Sequence, residues 1–427
     1  MNEEILYYIW TNRILSTLDL QTTNKEPLEI MNPGYRNNNS GPDYLHALIK
    51  IGDIKLAGHI EFHIKSSDWN KHHHQKDASY NNVILHVVME DDKVIENKSG
   101  NLIPTLVLGP YISPELLQNY HYLLQSKTKI PCENILQVPP DIISLQWFER
   151  LAVQRLETKY HRIKSRLNLC KNNWDEVYYA ECLRAFLGTL NVNGAEYLLR
   201  EIDFGLIIKY REQKYNIMAL LLGFSGFLSK NEQIQSSNEL YKTWLFLQRK
   251  HGLNQINEGI WKFSKTRPAN FPSNRLYQFC IFYHANTQYF NSFIQTKDLK
   301  ETISILKNLL EQKPELPIEL NNGKKNLPVI AAGSSILNNL IINVVAPMVF
   351  AYGLEKDNER LKALALNYWL VCPPEKNSIV EFWRNKGIHA LSALETQGMI
   401  ELNSCYCYYR KCLTCALGVY SLQKMGS

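Results

Sequence analysis

The sequence predicts an α+β protein: a small N-terminal α/β domain with a mixed sheet over residues 1–125, then a larger, mostly α-helical domain over 126–427. Three observations predict it. Apolar residues alternate, or run almost unbroken, in short segments between residues 44 and 108, whereas from about residue 110 they recur at helical spacing. Hydrophobic residues make up 45% and charged residues 21%, the balance of a folded chain rather than a disordered one. At 427 residues the chain exceeds what one core organises.

Each element has its own signal. Ile5, Tyr8, Ile9, Leu15 and Leu18 predict a helix over residues 3–18. Residues 29–43, rich in Asn, Gly and Pro, read as irregular. Strands are expected over 44–51, 54–65, 82–90 and 102–108, with Gly52-Asp53 closing a hairpin between the first two. The second strand puts Leu56, Gly58, Ile60, Phe62 and Ile64 on one face and Ala57, His59, Glu61, His63 and Lys65 on the other. The almost continuous apolar run of the third suits a central strand covered on both faces. Helices follow over 145–167, 175–190, 215–228, 237–250, 299–310, 335–352 and 355–371, punctuated by prolines.

No run of eighteen apolar residues occurs, and Met1-Asn2-Glu3-Glu4 lacks the basic and apolar regions of a secretion signal, so a cytoplasmic protein without a membrane partner is expected. A net charge of +6 permits nucleic acid as a partner without demanding it.

Seven of the twelve histidines fall between residues 46 and 86, beside Asp43, Glu61, Asp68 and Asp77. Asp43 and Glu61 supply the hard oxygens that Mg2+ or Mn2+ prefers, and such an ion would activate a water against a phosphodiester. His63 and Lys65, on the Glu61 face, are the candidates to orient that water and stabilise the transition state. Of the adjacent His72, His73 and His74, the alternate pair His72 and His74 is the better candidate for contacting substrate, as is Arg267 in its Pro-flanked loop. The bland alternatives are a polar surface loop for the histidines and a docking loop for Arg267. His86, inside an apolar strand, reads as a hydrogen-bonded core residue or an outer partner of the site. A hydrolase with transition-metal ligation by His59, His63, His72 and His74 is a further alternative, and so is a non-catalytic binding or scaffold protein.

Pro42-Asp43, followed by Glu61-Phe62-His63 on the next strand, resembles the PD-(D/E)-x-K nuclease superfamily, which orders helix and strands in the same way. The resemblance implies a nuclease-like fold and metal-dependent cleavage of DNA or RNA. His63 stands where that superfamily has lysine, with Lys65 one step further along the same face.

Cys405, Cys407, Cys412 and Cys415 crowd the C-terminal part. The spacing of Cys405, Cys412 and Cys415 matches the first three ligands of the endonuclease III iron-sulfur loop, but Ser421 occupies the fourth position. Zinc held by Cys407, Cys412, Cys415 and either Cys405 or a remote thiol such as Cys372 is equally allowed. Asn39-Ser40-Gly41-Pro42-Asp43, Gly58-His59-Ile60-Glu61-Phe62-His63, Ser67-Asp68-Trp69, Val83 to Val88, Arg267-Pro268-Ala269-Asn270-Phe271-Pro272 and Cys412-Leu413-Thr414-Cys415 together resemble a bacterial family, the domain of unknown function 2851.

Overall fold

The computed structural model describes residues 3–12, 19–37, 39–228, 235–264, 266–285, 290–310, 319–321, 326–328 and 335–424. Its N-terminal sheet grows from the Gly52-Asp53 turn, where Gly52 takes the positive φ of +56° that a tight hairpin requires. The turn joins β3 (Tyr44–Ile51) to β4 (Ile54–Lys65) in antiparallel register, Ile51 opposite Ile54 and Tyr44 opposite Ile60. From β4 the chain crosses through a short helix, α2 (Asp68–Lys71), and two 3-10 turns to β5 (Val83–Glu90), which runs parallel to β4. β6 (Thr105–Val107) adds in parallel, shorter than the run expected over 102–108. From β1 (Leu28–Asn32) the strand order is β1-β3-β4-β5-β6, with β5 between two neighbours and mostly buried, as its apolar run requires.

Residues 29–43 are more regular than their composition suggests. β1 (Leu28–Asn32) and β2 (Tyr35–Arg36) both pair antiparallel with β3. They lie at the sheet edge and only Leu28 among them is buried, so backbone pairing rather than an apolar stripe defines them.

The first helix, α1 (Glu4–Thr11), is buried from Ile5 to Trp10; residues 13–18 of the expected helix lie outside the described residues. Tyr7, Trp10 and Tyr44 surround the Phe62 ring at 5.3, 5.7 and 5.3 Å between centroids, and Trp10 donates to the Pro33 carbonyl at 3.0 Å. The Phe62 side of β4 is therefore the packed side, leaving Glu61 and His63 to the opposite face.

The chain divides into two compact units, and the boundary differs from the one expected near residue 125. The first comprises Met1–Trp147, Phe382–Ile388 and Glu401–Ser427; the second comprises Phe148–Glu381 and His389–Ile400. The cysteine segment thus belongs with the sheet rather than with the helices. Local contacts explain why: Arg410 donates to the Leu123 carbonyl near the end of α3 (Pro114–Gln125), and the Gln137 amide donates to Ser421 Oγ at 3.0 Å.

The second unit is mainly helical, with one small antiparallel pair, Glu319–Asn321 against Asn326–Pro328, among the described residues. Asn173 and Asn358 cap the helices Trp174–Leu187 and Glu359–Val371 by accepting backbone N–H groups. The stretch Ile336–Glu355 is long and apolar enough to cross a bilayer, but 72% of that window is buried inside the fold, as in a core helix.

Along the helix Asp141–Leu169, Arg155, Lys159 and Arg162 follow at helical spacing and enter a cleft of about 590 Å³ also lined by Glu181, Asn343 and Glu375. Lys159 donates to Asn343 Oδ1 at 2.8 Å. Burial, then Arg155 and Arg162, push its ammonium down from 10.5 to about 7. The folded state then holds fewer protons than the unfolded state between about pH 7 and 10.5, so this group's contribution is full above that window and lost as pH falls through it. Relative to Lys159→Met, the wild type is expected to gain up to about 1.4 kcal/mol per pH unit from pH 7.5 to 9.5. Parallel denaturant titrations check this, and a pH-independent difference would contradict it.

Candidate functional site

The hairpin register sets Asp43, one residue before β3, beside Glu61 on β4. The two are tied reciprocally: the Asp43 amide donates to Glu61 Oε2 at 2.9 Å, and the Phe62 amide donates to Asp43 Oδ2 at 3.0 Å. The Tyr7 hydroxyl, which donates to Glu3 Oε2 at 3.4 Å, lies near enough to Asp43 to favour its charged form. Glu61 is only 4% exposed. Burial, reinforced by the Asp43 charge, lifts its carboxyl well above the usual range, and burial also raises Asp43.

The other Glu61 oxygen faces imidazoles. Glu61 Oε1 lies 3.2 Å from His74 Nε2 and 3.9 Å from His63 Nε2. The α2 crossover delivers His74 and His72 to this spot. His72 closes α2, His73 takes a left-handed φ of +64°, and His74 opens the next turn, so the flanking pair turns back toward β4 while His73 stays exposed. Trp69 and Tyr80 wall the space, Tyr80 stacking on His74 at 3.9 Å.

His63 sits between two rings. Its Nδ1 is 2.8 Å from His86 Nε2, the partner that β5 supplies, and its Nε2 is 3.0 Å from His72 Nδ1. Burial first, then the neighbouring His86, hold His63 down to about 2, and burial holds His86 down to about 3. His63 is thus a neutral imidazole and cannot replace the cation of a lysine.

One ring nitrogen from each of His63, His72 and His74 lies within 4.8 Å of the others, with His63 buried, His74 half-buried and His72 exposed. Among the described residues, His74 Nε2 is buried without a hydrogen bond of its own. Three imidazoles and an adjacent carboxylate, with His74 Nε2 buried and in no hydrogen bond, form a donor set that fits a divalent ion. His86 is then the outer partner that fixes the His63 ring.

The remaining residues expected here go elsewhere. Lys65 is exposed and ion-paired with Glu90, directly opposite on β5, at 3.0 Å. His59 belongs with His46, whose amide lies 3.5 Å from its Nδ1, rather than with His63. Arg267 is exposed ahead of the Pro268–Asn270 turn and belongs to the helical unit. Cys405 Sγ lies 4.0 Å from Ser404 Oγ, while Cys407, Cys412 and Cys415 are buried. Sequence reasoning missed Tyr7 and Lys159. Only Lys159 carried a signal, three cations on one helix face.

No curated protein and no solved structure matches the chain. A family model described as a protein of unknown function (DUF2851) matches residues 3–378, so the chain belongs to that family.

Proposed function

We propose that the sheet unit is a cytoplasmic, metal-dependent hydrolase of nucleic-acid phosphodiester bonds, its ion held by Glu61, His63, His72 and His74 beside Asp43. The observation that carries this reading is the pivot at Glu61 Oε1, 3.2 Å from His74 Nε2 and 3.9 Å from His63 Nε2. A nitrogen-rich set with carboxylates favours manganese, iron or zinc over magnesium. Bound there, the ion would lower the pKa of a water and polarise a phosphoryl oxygen.

The chain's own residues supply the rest. His86 fixes the His63 ring so that its Nε2 faces the site. The Phe62 amide holds Asp43 as a second acid next to Glu61. The exposed His72, His73 and Lys76 lie on the open side of the loop, where a phosphate backbone would approach. Support for the substrate class is the hairpin followed by a parallel strand, carrying Pro42-Asp43 and Glu61-Phe62-His63 in nuclease-like order. Pairing of Lys65 with Glu90 favours a second reading, a site that binds metal and nucleic acid without cutting.

The test compares wild type with His74→Ala on single- and double-stranded DNA and RNA, with Mn2+, Fe2+, Zn2+ or Mg2+. Cleavage by the wild type that falls more than about 100-fold in the variant is expected. Metal-dependent binding without cleavage selects the second reading. Equal cleavage by both proteins, or neither binding nor cleavage, would overturn both.

A further inference from the structure

The cleft along the helix Asp141–Leu169 lies wholly within the second unit. Among its described lining residues, four cationic side chains, Arg155, Lys159, Arg162 and Arg184, meet two carboxylates, Glu181 and Glu375. That is an excess of two positive charges when Lys159 is protonated, held in a recess where water screens it less than on an open face. Pairing does not remove it. Arg162 Nε donates to Glu181 Oε1 at 3.3 Å, and Arg184 shares Glu196, outside the lining, with Arg166. Glu375 accepts from neutral groups, Thr396 Oγ1 at 3.4 Å and Gln397 Nε2. The other end of the Gln397 amide accepts from Arg155 Nε at 2.7 Å.

Lys159 is 7% exposed, and among the described residues its ammonium has one hydrogen-bond acceptor, Asn343 Oδ1 at 2.8 Å, with the Trp369 ring 6.0 Å away. An ammonium carries three donors, so two are left unanswered. Asn343 is locked into this role. Its Nδ2 donates to Asn339 Oδ1 at 2.7 Å, and Asn339 Nδ2 donates to the Ala185 carbonyl at 2.8 Å, which fixes the Asn343 oxygen toward Lys159. Asn343 lies in the π-turn Ile341–Val345, a distortion of helices that is frequent at functional sites. Arg155 and Arg162 repel an ammonium that burial already disfavours, and Glu375 and Glu181 offset them less strongly. A bound anion would relieve that repulsion and return the proton to Lys159.

We propose that this cleft binds a small phosphomonoester, its phosphate held by Arg155, Lys159 and Arg162. Guanidinium forks beside an ammonium point charge are the chemistry that grips phosphate, and a phosphomonoester dianion matches the excess of two charges. The volume of about 590 Å³ exceeds what a free phosphate fills and suits a ligand with a body. That body is hydroxylated, because Thr189, Asn377 and Ser378 supply polar groups to the same lining. The site is separate from the imidazole centre and does not depend on the function proposed for it.

The test is calorimetric titration at pH 8 of the full chain carrying His74→Ala, with chelator present, so that no metal in the imidazole site binds phosphate. Glucose 6-phosphate and 5′-AMP are the probes, and glucose, adenosine and citrate the controls. At least one ester should bind with a Kd below about 1 mM, and glucose and adenosine should not. Adding Lys159→Met should weaken the ester about 10–100-fold, the loss of one charge-assisted hydrogen bond. Should Lys159→Met fail to fold, the parent gives an independent readout: titration in two buffers of different ionisation enthalpy should show uptake of up to about one proton per ester bound, as Lys159 regains its charge. Binding of neither ester, tighter binding of citrate, equal affinity for the unphosphorylated compounds, no proton uptake, or unchanged affinity in Lys159→Met would overturn the proposal.

Discussion

Glu61→Gln is expected to abolish metal-dependent turnover while making the metal-free protein more stable. Glutamine keeps an oxygen to accept the Asp43 amide but removes an ionisable group buried next to another carboxylate. Outer partners of a metal site cost about 10–100-fold in affinity or activity when lost, so removal of a direct donor should exceed about 100-fold. The stability change runs the other way. Burial and Asp43 raise the folded carboxyl above its ordinary 4.5, so the folded wild type binds the proton more tightly than the unfolded chain. Its contribution is full below that value and is lost as pH rises through the raised one. With chelator at neutral pH the variant should gain at least about 1 kcal/mol, or roughly 2–4 °C in Tm, with the gap narrowing toward pH 4.5. Thermal unfolding and a metal titration measure the two effects. Equal stability, or unchanged metal affinity, would contradict the assignment of Glu61.

Phe62→Ala is expected to cost about 3–5 kcal/mol, the usual range when a buried aromatic ring is removed from a core that cannot collapse around the cavity. Phe62 is 1% exposed and is surrounded by Tyr7, Trp10 and Tyr44, three rigid rings that have no way to fill the space. The same ring clamps α1 onto β4, so Tyr7 would lose its place at Asp43. Metal affinity should therefore weaken along with stability. Denaturant unfolding with chelator present gives the first number, and a loss below about 1 kcal/mol would show that the cluster repacks.

Much of the sheet and of the site was legible because it is local. Alternation along residues 54–65 gave the face shared by Glu61 and His63, and Gly52-Asp53 gave the hairpin that sets Asp43 beside Glu61. Opposed directions of consecutive side chains singled out His72 and His74. Features that depend on a neighbour were not legible. Lys65 looked available until β5 brought Glu90 opposite it, and His86 gained its role from a parallel register that no local pattern encodes. β1 and β2 are edge strands with almost nothing to bury, so residues 28–36 carry no apolar period.

The sheet unit is discontinuous, drawing on residues before 148 and again on 382–388 and 401–427. At synthesis rates of about 5–20 residues per second, its early part leaves the ribosome roughly 15–55 s before its last part. Throughout that interval the helical unit, most of whose sequence lies between the parts of the sheet unit, has time to fold. The nascent chain thus passes through a stage at which most of the β-sheet exists without the segment that completes its unit, a window in which chaperone binding competes with maturation.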